Sequence, residues 1–197
     1  MLDIVDTLQD EAKRLTGQSL MYSKLMGEYR GLDVTTDVKS ISDTIVFLTP
    51  LGPDLSLDIH GNLCRKAIIL SIENRIPLRG ATSFGEFNQE KNVMIGPAVD
   101  EAAAWHENID WFGSILTPSA LFLNRHTAMD CWKEYDVHCK QGNLKTACAN
   151  WVPLYKKNRS DLCDAFIEMG PIIPEFAMKY TNTLEFYDYC SGNAHNP

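Results

Sequence analysis

Between Asp3 and Arg30 the apolar residues Ile4, Leu8, Ala12, Leu15, Met21 and Leu25 recur at mostly helical intervals. Gly17 and Gly31 interrupt the pattern, which predicts one broken helix or two. The periodicity then changes. Lys39 to Thr49 is rich in β-branched and aromatic residues and is closed by Pro50 and Gly52-Pro53, the pattern of a strand or of a tight hairpin ending in one. From Asp54 through Asn74, Leu63, Ala67, Leu70 and Ser71 share a helical face behind a cap at Asp54 or Ser56.

Arg79 to Gly85 reads as a short glycine-flanked strand, and Val93 to Gly96 as another that runs into a helix from Ala98 to about Asn108. Ile115 to Pro118 predicts a further strand, and Ala120 to Leu123 the start of a helix. Tyr135 to Lys140 and Thr146 to Trp151 form a terminal hairpin around Gly142-Asn143, followed by helices near Arg159 to Met169 and Pro174 to Tyr189. No internal repeat is visible. Strands and helices alternate without regular βαβ units, so the expected class is α+β, a sheet covered by helices on one face.

At 197 residues the chain suits one core plus an appendage. The expected division is a domain over residues 1–156 and a C-terminal helical extension over 157–197. Hydrophobic residues make up 45% and charged residues 22%, which argues for a folded protein. No stretch has the apolar length of a membrane span, and the N-terminus lacks the order of a secretion signal, so a soluble, cytoplasmic protein without membrane contact is expected. A net charge of −8 disfavours a general grip on nucleic acid, which depends on cations displacing counterions. The six cysteines contain no CxxC pair and read as reduced thiols. His126, Cys131, His138 and Cys139 match no zinc spacing, and the neighbours His138 and Cys139 point to opposite faces of a strand. Trp105, Trp111, Trp132 and Trp151 are expected as core or interface anchors.

Two blocks carry chemistry. Lys39-Ser40-Ile41-Ser42-Asp43, followed by Thr44-Ile45-Val46, resembles the lysine-x-x-glycine-aspartate turn of class III nucleotidyl cyclases. Arg79-Gly80-Ala81-Thr82-Ser83 and Gly96-Pro97-Ala98-Val99-Asp100-Glu101-Ala102-Ala103-Ala104-Trp105 resemble that family's arginine-glycine strand and its glycine-led helix, in the same order and spacing. Trp111-Phe112-Gly113-Ser114-Ile115 is similar to a tryptophan-glycine-isoleucine element of uncharacterised bacterial cyclase-homology proteins. The resemblance covers roughly residues 36 to 123, with a weaker echo at Tyr135-Asp136-Val137. It implies a ferredoxin-like, cyclase-type sheet, a nucleoside triphosphate ligand, Mg2+ or Mn2+, and a homodimer with sites at the subunit interface.

Cyclisation needs the 3′ hydroxyl aimed at the α-phosphate, with divalent ions on both the attacking oxygen and the phosphates. By resemblance Asp43 is one metal ligand; the plainer reading is an aspartate closing a turn through its own backbone. The other ligand belongs on a preceding strand, most of which this chain starts too late to supply. Leu2-Asp3-Ile4-Val5 echoes it, and the alternative for Asp3 is an exposed residue in a first helical turn. Lys39 falls where adenylyl cyclases read the purine edge, or is a lysine entering a strand from solvent. Arg79 supports phosphate, or pairs with Asp100, Glu101 or Glu107. Asp100 stands in the position of the family's asparagine and Ala104 in that of its transition-state arginine, a role alanine cannot fill. Losing such a group costs a factor of about 100 to 1,000 in rate. The expected function is therefore a cyclase-like pseudoenzyme that binds nucleotide or regulates. An active divergent cyclase and a structural, partner-binding module are the alternatives.

Overall fold

A computed structural model describes residues 2–25, 35–50, 53–91, 93–123 and 130–192. The chain opens with helix α1, Leu2–Leu25. The helix does not break at Gly17. That glycine is exposed with open space beside it, while Leu8, Ala12, Leu15 and Thr16 around it are buried. Burial of this stripe outweighs the roughly 1 kcal/mol that a glycine costs inside a helix. Gly31 lies outside the described residues.

Strands β1 (Asp37–Ile41) and β2 (Thr44–Leu48) form a hairpin around Ser42-Asp43, with Ser42 at φ 58°. Helix α2, Pro53–Glu73, begins with proline, so its start lies ahead of Ser56, which is a buried residue of the first turn rather than the cap. The helix is covered on two sides. Ile59, Leu63 and Ala67 pack on α1 and Val38, whereas Leu57, Cys64, Ile68 and Ile72 join the main core.

Strand β3 is shorter than its sequence signal, Gly80–Thr82, because the chain turns away where Phe84 N–H donates to Ser119 Oγ at 2.9 Å. Among the described residues β4 (Asn88–Glu90) and β5 (Val93–Ile95) pair only with each other, so the segment expected in the main sheet forms a small hairpin of its own. Gly96 then leads into helix α3, Pro97–Asn108. Its φ of 136° suits glycine, and a Cβ there would sit 2.6 Å from the Glu86 carbonyl oxygen. β6 (Ser114–Leu116) returns parallel to β3, a βαβ crossover that the sequence pattern did not suggest. The short helix α4, Pro118–Leu123, follows.

β7 (Trp132–Cys139) and β8 (Gly142–Ala149) turn at Lys140-Gln141, two residues earlier than expected, and Gly142-Asn143 open the return strand. The main sheet has the order β3-β6-β8-β7. Thr146 to Ala149 are buried in succession, so both faces of β8 are covered. Adjacent strand positions point to opposite faces. Trp132 Nε1 donates to the Leu57 carbonyl of α2 at 2.9 Å, whereas Tyr135, three residues on, packs its ring on Phe186 at 5.1 Å between centroids. Helices therefore lie on both faces, not one.

After a 3-10 turn at Val152–Leu154 come α5, Arg159–Glu168, and α6, Pro174–Ser191. Leu162, Phe166, Phe186 and Tyr187 share one buried cluster with Trp111, Trp132, Trp151, Ile115 and Val137. Trp105 is half-buried against it. Lys179, only 7% exposed, donates to Asp110 Oδ1 at 2.8 Å and ties α6 to the end of α3.

Candidate functional site

The β1–β2 hairpin, α2, β3 and α3 enclose a cleft of about 740 Å3. The hairpin contributes Asp43 and the whole of β2; the segment leading into β3 contributes Arg79. α2 turns Leu57, His60, Cys64, Ala67 and Ser71 toward it, and α3 turns Ala98, Val99, Ala102, Ala103 and His106. Phe47, Phe84, Phe87 and Met94 add to a largely apolar wall.

The residues singled out by sequence separate into two groups. Asp43 and Arg79 line this one cleft. Asp43 is exposed at the hairpin tip, where its Oδ1 accepts from Thr44 Oγ1 at 3.5 Å. Arg79 is half-buried and donates from Nη1 to the Glu107 carbonyl at 3.3 Å, a backbone partner rather than a carboxylate. Lys39, Asp3, Asp100 and Ala104 are not in the lining. Lys39 reaches instead to the Lys91 carbonyl at 3.2 Å. Asp3 is exposed in the first turn of α1, its carbonyl accepting from Thr7 Oγ1 at 2.7 Å, with the neighbouring Ile4 lining the cleft. Asp100 and Ala104 are exposed on α3, off the stripe that faces the cleft.

Glu101, one of the partners considered for Arg79, is used structurally. Burial raises its pKa, but hydrogen bonds from the Ser119 N–H and from the Ser119 and Thr117 hydroxyls bring it below the usual value, and it holds α3 against the start of α4. Burial pushes the Cys64 thiol up, against hydrogen bonds with Ser114 and Thr82, so this cleft residue is a protonated thiol rather than a nucleophile.

His60 was not legible as a site residue. Burial lowers its pKa to about 4, so it is neutral near pH 7. Its Nε2 is 2.9 Å from Thr49 Oγ1, which lies 2.9 Å from Thr36 Oγ1, which in turn accepts from Thr16 at 3.3 Å. This relay joins α1, the hairpin and α2. Its members stand at separations of 20, 13 and 11 residues, and no helical or strand period connects them.

Among the described residues no group of three or more His, Cys, Asp or Glu side chains could hold a metal ion. His126 of the rejected zinc set lies outside those residues. Asp43 is the one carboxylate among the described lining residues of the cleft. Mg2+ keeps several waters and is often held by one or two carboxylates plus substrate phosphates, so the site fits a divalent ion that arrives with a phosphate ligand rather than a resident one. Arg79 is the only lysine or arginine among the described lining residues. The arrangement can hold an apolar ring system with one anionic end, and it offers little to stabilise charge developing on a reacting phosphate.

No family model, no curated protein and no solved structure matches this chain. Among the described residues no helix is long and apolar enough to cross a membrane.

Proposed function

We propose that the chain is a cyclase-homology protein that binds a nucleoside triphosphate with Mg2+ or Mn2+ in this cleft and turns it over poorly or not at all. In this reading the β1–β2 hairpin and the four-stranded sheet are parts of a ferredoxin-like, cyclase-type arrangement, and the protein works as a homodimer. One observation carries it: the hairpin-tip carboxylate, Arg79 and the glycine-led helix α3 line a single cleft. Asp43 would hold the ion, Arg79 a phosphate oxygen, and the apolar wall the base. Asp43 alone would repel a triphosphate; a divalent ion held there would supply the neutralising charge.

Low turnover follows from α3. By resemblance the family's arginine position is Ala104, which lies off the cleft, and the stripe of the helix that does face the cleft carries three alanines and a valine ahead of His106, with no lysine or arginine. The purified protein should be incubated with each of the four nucleoside triphosphates and Mn2+, and the products read by mass spectrometry. The expected result is no cyclic nucleotide above the protein-free control. Cyclic product that disappears in Asp43→Ala would replace this reading with that of an active, divergent cyclase.

A further inference from the structure

The two long walls of the cleft are strand edges. Among the described residues β2 pairs only with β1, and β3 only with β6. Residues 44–49 and 76–85 line the cleft without a gap, whereas a strand presenting a face would contribute every second residue. The hairpin closes at Ile41↔Thr44 through a two-residue turn. In such a ladder Thr44, Val46 and Leu48 exchange hydrogen bonds with β1, and the N–H and C=O groups of Ile45 and Phe47 point away from it. On β3, Gly80 N–H donates to the Gly113 carbonyl at 2.8 Å and the Thr82 carbonyl accepts from Thr117 N–H at 2.9 Å, both along the β6 side. Ala81, between them, directs its backbone groups the other way. Ile45, Phe47 and Ala81 all border the cleft.

We propose that this slot accepts an extended, apolar segment of a partner protein, which pairs with β2 on one side and β3 on the other and joins the two sheets into one. The size agrees. Five strand residues opposite Thr44–Leu48 would be about 17 Å long, about 4.8 Å wide at strand spacing and about 10 Å thick, close to 800 Å3. The cleft is about 740 Å3. The chemistry agrees as well. Two edges with outward-pointing backbone donors and acceptors border one space, and an extended polypeptide carries matching groups on both of its own edges. α3 adds a stripe of Ala98, Val99, Ala102 and Ala103, and α2 adds Leu57, Cys64 and Ala67 beside His60 and Ser71, so the segment that fits is a largely apolar run, as in a strand of a covered sheet, rather than an alternating one. This proposal rests on the backbone groups of Ile45, Phe47 and Ala81, and the nucleotide reading on the side chains of Asp43 and Arg79; both ligands would use the apolar wall, so they would compete for the cleft.

The test employs an end-blocked peptide of alternating valine and isoleucine, five residues long and flanked by lysine pairs, with no nucleotide or metal present. Amide hydrogen exchange of the full chain is followed by NMR. Binding should slow exchange at Ile45, Phe47 and Ala81 at least tenfold, and the same peptide N-methylated at alternate residues should give no such protection. Unchanged exchange at those amides would overturn the proposal, as would equal protection by the methylated peptide, which would mark plain apolar binding. Protection that appears without peptide and grows with protein concentration would overturn it in favour of pairing between two copies of this chain. Nucleotide binding is measured separately and without peptide, so failure of one reading is distinguishable from failure of the other.

Discussion

His60 shows how one side chain can couple the cleft to the stability of the molecule. Its ordinary pKa of 6.5 falls to about 4 because burial disfavours the imidazolium. Between these values the unfolded chain binds a proton that the folded chain refuses, so stability drops as pH falls from 6.5 toward 4. The full effect is about 3 kcal/mol, and above pH 6.5 it vanishes. Urea unfolding at pH 7.5, 5.5 and 4.5 should show this fall in the natural protein and a shallower one in His60→Gln. Parallel pH dependences of the two proteins would contradict the assignment. A lone histidine in an apolar helix carries no such signal in sequence, because its partner Thr49 is brought near by tertiary packing rather than by periodicity.

At the scale of elements, local chemistry decides boundaries more reliably than it decides partners. α5 begins with a reciprocal capping box, in which the Asn158 side chain accepts from Asp161 N–H at 3.1 Å and Asp161 Oδ2 accepts from Asn158 N–H at 2.9 Å. Asn158→Ala should lower stability by about 1 kcal/mol, read as a reduced urea midpoint with an unchanged slope. A midpoint equal to that of the natural protein would show that the cap contributes nothing. The hairpin at residues 39–49, the helix after Gly96 and the two C-terminal helices were legible because their signals are local: β-branched runs, a glycine-proline start and an apolar period. The errors have a common cause. Gly17 was overruled by burial of its neighbours. The turn between β7 and β8 moved because Gly142, at φ 105°, serves as the first residue of the return strand. The parallel β3–β6 pair joins residues 34 positions apart, a non-local choice that no short window contains.

At the scale of the whole molecule, the packing of α2 brings the site together. One side of this helix meets α1 and the hairpin, the other meets the four-stranded sheet, and the stripe between them floors the cleft. Asp43 and Arg79, 36 positions apart in the sequence, thereby come to border one space. The sequence pointed to both residues and offered the exposed helical turn that Asp3 occupies, but it could not say that Asp100 and Ala104 would lie off the cleft-facing stripe of α3, since the rotation of a helix about its axis is set by tertiary packing. Binding of ATP, GTP, CTP and UTP with Mn2+, measured by calorimetry on the natural protein, Asp43→Ala and Arg79→Ala, tests the central claim most directly. The account predicts saturable binding of at least one of them, loss of its Mn2+ dependence in Asp43→Ala, and an affinity lowered about ten- to a hundredfold in Arg79→Ala, the range for losing a hydrogen bond to a charged group. No binding of any of the four, or affinities equal in all three proteins, would contradict it.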